Sequence, residues 1–156
     1  MTNYTNEPWP STYEMLGEVE PRKLKSRFHG RVVGAFRTAI PARTTEPPQI
    51  HLTAPRDGHP FEELLTDFNL PFHVAYLDVI TGKRHQREYS PGENIIIPEY
   101  VAHWLINPND KRLEFTCEYA PHPWDPNDEP EFPNLRVLLD SVEEKGLMQK
   151  LMDARF

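Results

Sequence analysis

The stretch "PGENIIIPEYVAHWLIN", Pro91 to Asn107, decides how this chain is read. Pro91-Gly92 is a turn signal, and the isoleucines that follow suit a strand crossing a core. Pro98 bends the chain into a second strand, in which His103 falls on the same face as Val101 and Leu105. Asn107 opens the next turn with Pro108 and Asn109. An imidazole in so apolar a run has two readings: a packed core histidine, or the polar tip of a ligand pocket.

Outward from this stretch the pattern is of short strands separated by turn residues. Downstream, "RLEFTCEYAP", 112–121, alternates cleanly: Leu113, Phe115, Cys117 and Tyr119 face one way, Glu114, Thr116 and Glu118 the other. Upstream, "PFHVAYLDVITG", 71–82, sets Phe72, Val74 and Tyr76 against His73, Ala75 and Leu77, and the polar strand "KRHQREYSPG", 83–92, leaves His85 in solvent. "HPFEELLTDFN", 59–69, ends at the turn residue Asn69; "PPQIHLTAP", 47–55, is a strand fenced by prolines; "GRVVGAFRTAIP", 30–41, is rich in Val, Phe and Ile. Residues 1–26 read as an arm, with a short helix near Pro10–Gly17. After Pro133, Leu135, Leu138, Leu139, Val142, Leu147 and Leu151 recur at helical spacing, which predicts a helical segment over 134–156. The expectation is an all-β antiparallel barrel over 27–133, with the arm before it and the helical segment packed outside. Parallel α/β folds and helical bundles lose, because no helices alternate with these strands.

Composition narrows the function classes. A chain of 156 residues suits one domain with a real core. The net charge of −7 is spread without a basic stripe, which argues against nucleic acid, and no run is apolar enough for a membrane. The N-terminus lacks the basic start and apolar core of a secretory signal. A single cysteine, Cys117, excludes a disulfide framework within the chain. These features predict a soluble protein of a reducing compartment, the cytoplasm. The 17 prolines fit a turn-rich fold.

The quoted stretch resembles the second signature of the cupin superfamily: Gly, five residues, Pro, any residue, Gly, two residues, His, three residues, Asn. Here Gly92, "ENIII", Pro98, Glu99, Tyr100, "VA", His103, "WLI" and Asn107 follow it, with Tyr100 in place of the second glycine. The resemblance implies a double-stranded β-helix, or jelly roll, with His103 at the barrel mouth. The first cupin signature, Gly, five residues, His-x-His, three or four residues, Glu, six residues, Gly, is broken in "QIHLTAPRDGHPFEELLTDFNLPF". In one register Asp57-Gly58-His59 replaces His-x-His and Glu63 is the glutamate. In the other Glu62 is the glutamate, Asn69 does the turn work of the final glycine, and Leu64 and Phe68 lie inside. In the family these histidines and the glutamate, with the second-signature histidine, usually hold a divalent metal.

"IPEYVAHWLINPNDKRLEFTCEYAPHPWDPNDEPEF" further resembles the tail of small sugar-nucleotide cupins, the dTDP-keto-deoxysugar epimerases and the cupin domains of capsular-sugar enzymes, above all in "PWDPNDEPEF". The epimerases' early-strand run Arg-Gly-Leu-His-Tyr is absent; His51 and His59 are its nearest substitutes. Three functions follow from the resemblance. The first is an isomerase or epimerase acting on a keto-sugar, with His59 or His103 as base, Tyr119 or Tyr100 as acid, and Arg37, His51, Arg56 and Tyr76 toward the substrate. The second is a metal-dependent dioxygenase, decarboxylase or lyase, with Fe, Mn, Ni or Zn on Asp57, His59, Glu62 or Glu63, and His103. The third is a barrel that binds a ligand without chemistry. A homodimer is expected by analogy.

Overall fold

The computed structural model describes residues 14–46, 49–51, 58–78, 81, 83–98, 101–120 and 136–138. The strands are β1 (Glu14–Val19), β2 (Gly34–Ile40), β3 (Thr44–Thr45), β4 (Gln49–His51), β5 (Glu62–Thr66), β6 (Phe72–Asp78), β7 (Arg84–Tyr89), β8 (Ile95–Ile96), β9 (Val101–Asn107), β10 (Leu113–Ala120) and β11 (Arg136–Leu138). They form two antiparallel sheets, one in the order β1-β2-β10-β5-β8, the other in the order β11-β4-β9-β6-β7 with β3 also paired to β9. No helix occurs among the described residues, and none is long and apolar enough to cross a membrane.

The core forms where the alternating faces meet. Phe36, Ile40, Leu65, Phe115 and Cys117 of the first sheet pack on Phe72, Val74, Tyr76, Tyr89 and Leu105 of the second. Phe72 and Phe115 stack across the gap, ring centroids 6.4 Å apart. The Pro91-Gly92 turn exists because Gly92 takes φ 98, a conformation that side chains disfavour. Asn107 locks the end of β9: its Nδ2 donates to the carbonyls of Ile40 (3.2 Å), Pro41 (3.0 Å) and Lys111 (3.0 Å), and its Oδ1 accepts from the Asn109 N–H (3.0 Å).

At the ends the described residues depart from two expectations. The short helix near Pro10–Gly17 is, in its described part, strand β1. Its backbone groups pair with β2 from Glu14↔Ala39 to Val19↔Ala35, with a bulge at Gly17, whose φ of 150 suits glycine. Of the helical segment expected over 134–156, the described residues Arg136–Leu138 form β11, with Val137 opposite Ile50, and the rest of the segment lies outside the described residues. Pairing that satisfies an open strand edge overrides leucine spacing.

The segment after β1 crosses the outer face of the first sheet, fastened by buried carboxylates. Glu118 accepts the backbone N–H of Arg22 (2.6 Å) and Lys23 (3.1 Å). Glu62 accepts from the Ser26 hydroxyl (2.6 Å), the Arg27 N–H (3.2 Å) and the Arg31 guanidinium (3.2 Å).

Candidate active site

His103 lies mid-strand in β9, with Tyr76 of β6 opposite it on one side and Gln49 of β4 on the other. Its side chain is 0% exposed. Nδ1 is 3.2 Å from the Val101 carbonyl oxygen. A carbonyl only accepts, so this nitrogen carries a proton and fixes the ring. Nε2 then faces Glu63, whose Oε1 is 3.7 Å away and whose side chain is 6% exposed.

Glu63 reaches the interior by the alternation of β5. It stands opposite Tyr119, and Leu65 stands opposite Cys117, so both share the inward face. Glu62 points the other way, to Ser26, Arg27 and Arg31. Of the two glutamates the sequence leaves open, Glu63 is the inward one. Leu65, not Leu64, joins the core cluster, together with Phe68.

The surroundings are buried and hold further polar groups. Burial pushes the Cys117 thiol well above its usual range, and the charges of Glu63 and Glu46 push it the same way, while hydrogen bonds to Tyr119 and Thr38 pull it down. Burial also pushes the Tyr76 phenol far up, reinforced by its hydroxyl bond to Tyr89 (2.8 Å) and by Glu63; Arg87 opposes this. Glu46, between β3 and β4, is a buried carboxylate that accepts the Leu105 N–H at 2.7 Å, while its own N–H donates to the Leu105 carbonyl at 3.0 Å. That clamp holds β9 two residues beyond His103. His85, exposed on β7 opposite Tyr76, stacks on the Tyr76 ring at 4.8 Å.

The other sequence candidates scatter. His59 is exposed and stacks on Phe28 at 4.0 Å, while its carbonyl accepts from Arg31 at 2.8 Å. Arg31 ties that stretch to the outer segment, so His59 does not join His103 as base or ligand. Arg37 lies beside Thr116 and donates to its hydroxyl (3.2 Å) and to the Asp67 carbonyl (2.8 Å), away from His103. Tyr119 is buried opposite Glu63 and packs on Phe36 and Phe61. His51 enters as backbone of β4, opposite Arg136. Arg56, Asp57 and Tyr100 lie outside the described residues. Among the described residues, no group of three or more His, Cys, Asp and Glu side chains is placed to hold a metal ion.

Sequence reasoning missed Glu46 and Arg31. Arg31 is 2% exposed, yet its neighbours in "HGRVVGAF" give no sign that a guanidinium is buried there. The flanking threonines and prolines of Glu46 give only a turn signal.

No family model matches the sequence, and no curated protein matches it. Solved structures do. The capsular polysaccharide assembling protein CapF from Staphylococcus aureus superposes with a TM-score of 0.54 at 16% identity, over 71% of this chain and 29% of that one. Oxalate decarboxylase from Bacillus subtilis gives 0.47 at 13% identity, over 57% and 21%. Oxalate oxidase in complex with glycolate gives 0.44 at 21%, over 56% and 41%. This chain spans less than half the length of each of these three. With the sheet order and the Gly92–Asn107 signature, the likeness to CapF defines the fold as the cupin jelly roll.

Proposed function

We propose that this chain is a small-molecule enzyme of the cupin type that moves a proton beside a carbonyl, isomerising or epimerising a keto-sugar or a similar compound. The observation that carries this is the buried imidazole of His103 facing the Glu63 carboxylate at 3.7 Å. A base in a buried site beside a fixed carboxylate is suited to abstracting a weakly acidic C–H. His103 Nε2 takes the proton, the C–H electron pair becomes an enolate, and Glu63 offsets the charge of the imidazolium. The Tyr76 phenol, held protonated by burial, donates to the enolate oxygen. Return of this proton from Nε2 to the neighbouring carbon gives the isomer; the epimer forms when a second acid protonates the opposite face of the enolate, and His103 then releases its proton to solvent.

The metal-dependent alternative uses the same two donors. His103 and Glu63 are short of the three protein donors that a catalytic metal commonly has, so no step is routed through an ion. The exposed Met15, Leu16 and Val19 on edge strand β1 support a homodimer, and a cytoplasmic location belongs to the same reading.

The test is solvent exchange. Keto-sugar nucleotides incubated in D2O with the wild-type protein lose the proton signal beside the carbonyl, and His103→Asn slows this by about 100-fold or more. Equal exchange by wild type, His103→Asn and Glu63→Gln contradicts the proposal. Activity lost to a chelator and restored by Fe, Mn, Ni or Zn transfers the chemistry to the metal-dependent alternative.

A further inference from the structure

A cleft of about 600 Å3 opens between the segment after β1 and the β5–β8 edge. Its volume is that of a small-molecule site. Phe61, Leu64, Ile96, Ile97 and Pro98 line it with hydrocarbon, and Leu24 adds to them from the crossing segment. Ile96 is 76% exposed, the most exposed of the large apolar side chains among the described residues. With Leu24, Leu64 and Pro98 it makes a continuous apolar lining at the sheet edge.

The charged lining carries three cations against two carboxylates. Lys23, Lys25 and Arg27 stand on the segment side. Of the two carboxylates in the lining, Glu62 is engaged by Ser26, Arg27 and Arg31, and Glu63 faces His103 Nε2 at 3.7 Å. Lys23 pairs with Asp67 at 3.1 Å and Arg27 with Glu62 at 3.4 Å, both with exposed cations. Such pairs are weak in water and yield to a better-placed anion.

The structure is also held in the shape the cleft needs. Glu118 and Glu62 fasten the crossing segment on both sides of Leu24 and Lys25, so the cleft is not opened at a ligand's expense. On the other wall, Ile97 donates its N–H to the Glu63 carbonyl at 3.1 Å, which fixes Ile96 and Ile97 against β5.

We propose that this cleft binds a small amphipathic anion, an apolar body carrying one carboxylate, sulfonate or phosphoryl group. The body covers Leu64 and Ile96, and the anionic group meets Lys25 and Arg27. The site lies at the sheet edge, and Phe61, Glu63 and Ile97 of its lining also belong to the barrel interior. The inference does not require the proposed reaction.

The probe is 8-anilinonaphthalene-1-sulfonate, which has both parts. Calorimetric titration and amide shift mapping on the full-length protein are expected to show one site, with shifts gathered at 24–27, 61–64 and 96–97. Ile96→Glu and Lys25→Glu each weaken binding about tenfold or more, which is the loss of one buried apolar group or one charge contact. Both residues are exposed, so both variants keep the fold, checked by circular dichroism. Shifts scattered over the surface, or unchanged affinity in both variants, overturn the inference. So does a dimer that Ile96→Glu converts to monomer, because the cleft is then a seam between copies. Acetate and inorganic phosphate, added as competitors of the probe, identify the preferred head group by whichever displaces it at lower concentration; displacement by neither overturns the role of Lys25 and Arg27.

Discussion

Replacing Arg31 by Met is expected to cost about 3–5 kcal/mol of stability, the range for breaking a buried charge pair. The side chain is 2% exposed. Its Nη1 donates to the carbonyls of Pro60 (2.5 Å) and Ala120 (3.0 Å) and to Glu62 Oε1 (3.2 Å), and its Nη2 donates to the His59 carbonyl (2.8 Å). Methionine fills the space but donates nothing, so three carbonyls and a carboxylate lose a charged donor together. Glu62 keeps the Ser26 hydroxyl and the Arg27 N–H, which holds the loss to that range. Urea unfolding at neutral pH is the assay. With a slope of about 2 kcal/mol/M the midpoint falls by about 2 M, with the slope unchanged. Against a typical total of about 5–15 kcal/mol this is severe. Arg31→Lys recovers only part of the loss, because one ammonium does not span four acceptors. Since Arg31 ties the start of β5 to the end of β10, the two strands that carry Glu63 and Tyr119, any activity falls with stability. A loss below about 1 kcal/mol, the value of an exposed pair, refutes the reasoning.

Three further outcomes follow from the same geometry. Cys117, buried with its acidity suppressed, stays unreactive toward a thiol reagent at about pH 8 in the native protein and reacts with one equivalent after urea unfolding. Both Cys117 and Tyr76 have raised folded-state values. The stability they contribute is complete below their unfolded values, about pH 8.5 and 10, and falls as pH rises beyond them; unfolding midpoints measured from about pH 7 to 11 show the decline, and Cys117→Ala removes its first part. Asn107→Ala, which removes a donor shared by three carbonyls, lowers stability by about 2–3 kcal/mol in the same urea assay, and Asn107→Asp does not restore it.

How much of this was legible in the sequence depends on where the information lies. Short-range patterns carried well. The Gly92–Asn107 spacing announced a turn, two strands and an inward His103, and the alternation of 113–119 placed Phe115, Cys117 and Tyr119 in the core. A two-residue period says which side chains share a face but not which face is inside. Glu62 and Glu63 were therefore indistinguishable until β10 and the crossing segment were in place. The polar residues that shape the site were hidden for a different reason. Glu118 holds backbone groups 96 and 95 positions away, Arg31 caps a carbonyl 89 away, and Glu46 reaches Leu105 across 59. No local pattern marks such a residue, because its partner is a backbone group that any sequence provides. His59 misled in the opposite sense: its spacing to Glu63 suited a ligand set, but its ring lies on Phe28.

The central claim is that His103 and Glu63 act as one buried unit. A double-mutant cycle of wild type, Glu63→Gln, His103→Asn and the double variant, read by urea unfolding at neutral pH, measures it without a substrate. The account predicts a coupling energy of about 1–3 kcal/mol. Additive effects within about 0.5 kcal/mol, the behaviour of distant sites, contradict it.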